Sequence, residues 1–234
     1  MGLIQPVPAH QRKEEAAKLY LWASSLFIAA LVVCNLIANK FVRIDLGFKE
    51  FVVSAGILPY PLTFLMTDVL SEIYGVRKTN QVVFVGFGVS IFILGVLWLG
   101  SIFPAVSFSP ISDETYNAVF QNAWRIVAAS MVAYLGAQLV DVRLFHFWKR
   151  LTRGRHLWIR NNFSTMLSQG LDTFLVTSLL FVGRMEPRQI GELIADGWLI
   201  KILFAAADTT LVYPLVYYFR KRLDLAPGVE YQDE

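Results

Sequence analysis

The sequence predicts an all-α integral membrane protein with six transmembrane helices and both termini in the cytoplasm. Three observations carry that expectation. Hydrophobic residues make up 56% of the chain and charged ones 17%, with a mean hydropathy of +0.51, too apolar for an ordinary soluble domain. The apolar residues fall in runs, and 234 residues hold six runs of about 20 residues with short connections. The lysines and arginines gather beside alternate runs, the signature of a fixed orientation in a membrane.

Residues 1–18 are polar and form a cytoplasmic segment with a helical lead-in at Glu14 and Glu15. The first apolar run lacks a small-residue cleavage site and reads as an uncleaved helix. This helix 1, about Leu19 to Lys40, carries Asn35 and Asn39 near its far end. Ala30, Cys34 and Ala38 recur every four residues, a spacing that lets helices approach closely. Helix 2 is expected from about Phe51 to Tyr74, disturbed by Pro59 and Pro61, which donate no backbone N–H. Arg77 and Lys78 separate it from helix 3, about Gln81 to Phe103, a nearly polar-free scaffold with Gly86, Gly88, Gly95 and Gly100. Residues 101–122 contain two prolines and two acids but no Lys or Arg, as an external loop would. Helix 4 spans about Trp124 to Trp148, helix 5 about Asn161 to Gly183, and helix 6 about Gly191 to Phe219. The transporting or binding body is therefore expected at 19–222, with a cytoplasmic tail at 223–234.

With the N-terminus inside, 14 basic residues fall on the inner side and 6 on the outer, leaving Lys201 within the membrane. Orientation converts position into depth at about 1.5 Å per helical residue. Asp68 and Glu72 are four residues apart on one helical face, with Thr67 and Thr63 nearby. Tyr134, Gln138 and Asp141 form a stripe on helix 4, and Asn162, Thr165, Gln169 and Asp172 another on helix 5, so Gln-x-x-Asp occurs twice. An acid at the bilayer centre costs about 2.5–3.5 kcal/mol or more, so such groups belong in a bundle interior or a wet cavity.

Each has a structural alternative. Asn35 and Asn39 serve either interhelical hydrogen bonds or a solute face. Asp141 has the basic connection after helix 4 as an ion-pair partner, and Glu72 has Arg77 or Lys78. Asp208 and Lys201, seven residues apart, are either mutually compensating charges across neighbouring helices or part of the solute site. Asp68, Gln169 and Asp172 have no basic neighbour in sequence, which favours a functional role. The expected solute-binding set is Asn35, Asn39, Thr67, Asp68, Glu72, Gln138, Asp141, Gln169, Asp172 and Asp208. Phe64, Tyr134 and Trp198 are packing residues by default, any of which can stack on a flat ligand.

No catalytic residue, metal site or cofactor is expected. One cysteine excludes an intrachain disulfide, and His10, His146 and His156 lack metal-ligand spacing. Phosphate-binding glycine loops, nucleophile elbows and zinc-helix motifs are absent from the sequence. A net charge of +3 is a topology signal, not a nucleic-acid footprint.

The runs PLTFLMTDVLSEIYG and NNFSTMLSQGLDTFLVTSLLF resemble the queuosine precursor transporters, also called the vitamin uptake transporter family. The resemblance extends from about Leu19 to Arg222. It implies an inner-membrane importer of 7-deazaguanine bases, the 7-cyano and 7-aminomethyl precursors of queuosine. The fold it implies is similar to the substrate-binding subunits of energy-coupling-factor importers. The expected partners are the small-molecule base and membrane lipid, with no nucleic acid; a monomer and a homo-oligomer both fit. A stand-alone transporter is the leading reading, a subunit docking on an ATP-driven module the first alternative, and a membrane enzyme or assembly factor the second.

Overall fold

A computed structural model describes residues 5–37, 40–45, 47, 50–121, 124–153, 155–181, 183 and 186–232. A 3-10 turn at Ala9–Gln11 leads into α1 (Arg12–Ile37), and a hairpin of β1 (Phe41–Asp45) and β2 (Glu50–Ser54) follows. Then come a 3-10 turn (Ala55–Ile57), α2 (Tyr60–Ile102), α3 (Asp113–Tyr116), a π-helical turn (Asn117–Gln121), α4 (Trp124–Leu151), α5 (Leu157–Phe181) and α6 (Pro187–Leu223).

Helix 2 does not begin at Phe51. Phe51 to Ser54 pair antiparallel with β1, Phe41 opposite Ser54, because Phe-Val-Val suits a pleated strand and Gly47 (φ +80°) turns the chain. Pro59 caps α2 and Pro61 lies in its first turn, where a missing N–H costs nothing, so the prolines start the helix instead of breaking it. The break comes 14 residues later, at Gly75 (φ +80°, ψ 171°), and divides α2 into two limbs.

The limbs run in opposite directions along α1. Tyr74 Oη donates to the Ala16 carbonyl near the start of α1, whereas Asn35 near its end borders both Tyr60 and Leu97. Phe27 and Leu31 press on Gly86 between these levels, where a Cβ would fall 2.8 Å from the Phe27 ring. The remaining helices alternate too. Trp148 stacks near Phe163 while Gly136 meets Leu175, so α5 runs back along α4. Thr173 meets Gly197 and Trp158 meets Tyr213, so α6 runs back along α5. α6 bends by 41° about residue 209, with Pro214 leaving the Thr210 carbonyl without its helical donor.

Both chain ends lie together. Val7 N donates to the Arg222 carbonyl at 3.1 Å, Arg12 pairs with Asp224 at 2.6 Å and Arg222 with Glu15 at 2.5 Å. The β-hairpin and Asn35 sit at the opposite end of the bundle. Phe27, Phe64, Val69, Leu70, Ile73 and Phe145 form its apolar centre. The outer surface is apolar as well: Trp22, Phe84, Phe92, Trp98, Phe174 and Leu179 are exposed, an arrangement that hydrocarbon accepts and water does not. The described helices long and apolar enough to cross a bilayer include α1, α2 and α4. The protein is thus a predominantly helical membrane protein.

Candidate functional site

A cavity of about 300 Å³ opens between α1, the hairpin, the start of α2, α5 and α6. Cys34 and Asn35 line it from α1, Val53 and Ser54 from β2, and Gly56, Ile57 and Tyr60 from the chain entering α2. Asp172, Thr173, Val176 and Thr177 close it from α5, and Leu193, Gly197 and Lys201 from α6. Small residues make the space. A Cβ at Gly197 would fall 3.1 Å from the Thr173 methyl and one at Gly170 3.2 Å from the Trp198 indole, so these glycines let α5 and α6 approach closely. Trp198 Nε1 donates to the Met166 carbonyl at 2.8 Å, so this aromatic is a packing residue.

Asp172 is the chemical centre. Its Oδ2 accepts from Tyr60 Oη at 2.7 Å and from Lys201 Nζ at 2.6 Å, and the ammonium also lies 4.8 Å from the centre of the Tyr60 ring. The sequence expectation that Asp172 lacks a basic neighbour is corrected: α6 brings Lys201 to it from 29 residues away. Of the two alternatives for Lys201 and Asp208, mutual compensation is not the one seen, since the ammonium turns toward Asp172 on α5. Asp172 Oδ1 and Asn35 Nδ2 are buried without a hydrogen-bond partner among the described residues. One is an unused acceptor and the other an unused donor, and both belong to residues lining the cavity.

A narrow cleft adjoins it, sharing Ile57, Tyr60 and Lys201 and reaching Gln169 and Asp208. Gln169 Oε1 is a further buried acceptor without a described partner. Of the expected solute-binding set, Asn35 and Asp172 therefore line the cavity and Gln169 and Asp208 its extension. An apolar crevice between α1 and the second limb is only about 20 Å³, too little for a solute of more than a water or two.

Thr67, Gln138, Asp141 and Glu72 bridge helices instead. Gln138 Nε2 donates to Thr67 Oγ1 at 2.7 Å, joining α4 to the first limb. Ser168 Oγ donates to Asp141 Oδ1 at 2.8 Å, joining α5 to α4. Glu72 pairs with the Arg220 guanidinium and lies 3.9 Å from Lys149 Nζ, so its described cations come from α6 and α4. Asp68 is buried on the first limb and does not line the cavity or its cleft. Asn39 lies outside the described residues. Lys201 and Tyr60 are the site residues that sequence reasoning missed. A lone lysine in an apolar run was the available signal for the first.

Residues 54–215 match the family profile described as "Putative vitamin uptake transporter". The chain belongs to this family. A vitamin uptake transporter relative from Bacillus subtilis, "Probable queuosine precursor transporter", is 33% identical over 83% of this chain and 81% of its own. One of the same description from Haemophilus influenzae is 26% identical over 80% of this chain and 79% of its own. The "Queuosine precursor transporter" of Escherichia coli is 26% identical over 70% of this chain and 69% of its own. No solved structure matches. All three relatives are named as transporters, and the buried acids of this member of the family are read accordingly.

Proposed function

We propose that this protein imports 7-deazaguanine precursors of queuosine across the inner membrane and binds them in the cavity around Asp172. The observation that carries the reading is that two residues lining this cavity keep buried groups unused, a carboxylate acceptor on Asp172 and an amide donor on Asn35. A guanine-like base presents N–H donors and a carbonyl acceptor along one edge, which such a pair answers. About 300 Å³ suits a bicyclic base, and the Tyr60 ring offers a flat wall. A site built on hydrogen bonds to that edge rejects analogues lacking it, because its own buried groups would stay unpaired. The 7-cyano and 7-aminomethyl bases both carry this edge.

The topology belongs to the same proposal. The two limbs of α2 with α1, α4, α5 and α6 make six passes, both termini cytoplasmic, as the 14-to-6 basic asymmetry favours. The cavity then faces outward, where an importer captures its solute. We take the chain to work alone. Purified protein in liposomes with labelled 7-cyano- or 7-aminomethyl-7-deazaguanine tests this: saturable uptake without ATP is expected. Binding without uptake would point to a subunit awaiting an ATP-driven module. Absence of binding to either base would overturn the substrate assignment.

A further inference from the structure

The end of the bundle opposite the cavity is shut by the chain's own tail. At Asp224 the backbone turns left-handed (φ +56°), and a second turn at Gly228 (φ +81°) sends the chain back under the bundle. Arg220 holds the tail by donating to the Ala226 carbonyl. The segment then reaches the break at Gly75. A helix that stops there leaves carbonyls without helical donors, and a negative partial charge gathers among them. Tyr231 N donates to the Ile73 carbonyl at 2.6 Å, so the tail caps the first limb. The Tyr231 ring meets Tyr74, with Lys78 Nζ 5.8 Å from its centre.

Glu230 completes the closure. Its carboxylate pairs with Lys149 Nζ at 2.9 Å and lies 3.7 Å from His146 Nδ1. It also fills the space where a side chain at residue 75 would stand. Lys149 and Arg220 are buried cations that share Glu72, and Glu230 brings a second described carboxylate to that group. The tail thus ties α6, α4 and both limbs of α2 at one point. α6 also supplies Lys201 to the cavity, so movement of this helix is felt at both ends.

An importer whose cavity opens on one side must open a path on the other. The contacts closing that path are polar, aromatic and partly exposed, Glu230 by 38%, and not a packed apolar core. Segments held in this way open locally at low cost. We propose that residues 224–232 form a releasable latch: Glu230 and Tyr231 position the two limbs of α2, and their departure opens the terminal side for solute release. The proposal rests on the transport reading but not on which base is carried.

The test uses the full chain with His146→Cys and Glu230→Cys, joined in liposomes by a bifunctional methanethiosulfonate linker that reductant cleaves. Linking should lower maximal uptake about tenfold or more, a barrier change of at least about 1.4 kcal/mol, while the binding constant stays unchanged. Reductant should restore uptake. A monofunctional reagent on the same variant, and the linker on the wild type with Cys34 alone, set the background. Linked protein that transports at the unlinked rate would make the tail a fixed cap and overturn the proposal. A second measurement needs neither variant nor solute. In the wild type, the Tyr231 amide should exchange hydrogen about a hundredfold faster than the Leu70 amide, as local opening predicts. Exchange as slow as at Leu70 would overturn the latch, and failure of the wild type to bind either base would count only against the substrate assignment.

Discussion

Lys201 Nζ lies 2.6 Å from Asp172 Oδ2, and the same carboxylate oxygen accepts from Tyr60. Three elements distant in sequence therefore meet on one atom. Both charges are largely withdrawn from solvent, so the pair has lost hydration on each side and is sensitive to loss of either partner.

Asp172→Asn should weaken binding of the base by about 10–150-fold, from the roughly 1.5–3 kcal/mol of a hydrogen bond to a charged group. It should also destabilise the fold, because Lys201 keeps a buried charge without its partner. Lys201→Met should destabilise for the mirror reason. The double variant should regain thermal stability relative to both single changes without regaining affinity. Thermal melts and equilibrium binding on the four proteins separate the two effects. Wild-type affinity in folded Asp172→Asn would remove Asp172 from the site.

Gln138→Leu should lower stability by about 1–3 kcal/mol, since Thr67 Oγ1 loses its donor in the buried interior. Replacing both partners, Thr67→Val with Gln138→Leu, should recover part of that loss. Affinity should stay unchanged in each, because neither residue lines the cavity. A fall in affinity at constant stability would move these residues into the binding machinery.

These outcomes mark where the sequence was readable. The apolar runs marked the helices α1, α4, α5 and α6, and those of α1 and α4 are long and apolar enough to cross a bilayer. The polar stripe on α5 was equally plain, since Gln169 and Asp172 interrupt an apolar run. The strand at Phe51–Ser54 was not: a short β-branched run looks like a helix to an apolar window, and only pairing with Phe41–Asp45 decides it. Nor was the division of labour among the acids. Asp68 and Asp172 look alike in sequence, and Asp141 differs from them only in standing near the basic connection. Asp141 meets Ser168 and Asp172 meets Lys201 only because α4, α5 and α6 alternate in direction.

Gly75→Ala should be costly twice. The backbone there, at φ +80° and ψ 171°, lies in a region essentially confined to glycine and disfavours a Cβ by roughly 1–3 kcal/mol, and the Glu230 carboxylate must leave the space a methyl would need. Adding Glu230→Ala should relieve the steric part and leave the backbone part. Denaturation midpoints of the single and double variants measure the two shares. Equal losses in both would mean that Glu230 does not press on residue 75.

Reporters fused after residue 232 and inserted between Arg153 and Arg155 should both score cytoplasmic, and one inserted at 106–110 should score external. An external score at the C-terminus would invert the proposed orientation and place the cavity on the inner side.

The clasp between Glu15 and Arg222 joins residues 207 positions apart, and Val7 and Arg12 add to it from the same end. During synthesis no part of that ring can close until α6 has left the ribosome. Until then α1 and the first limb of α2 present the Glu15 and Glu72 carboxylates without the arginines that answer them. The nascent chain is therefore open along one seam until α6 arrives to close it.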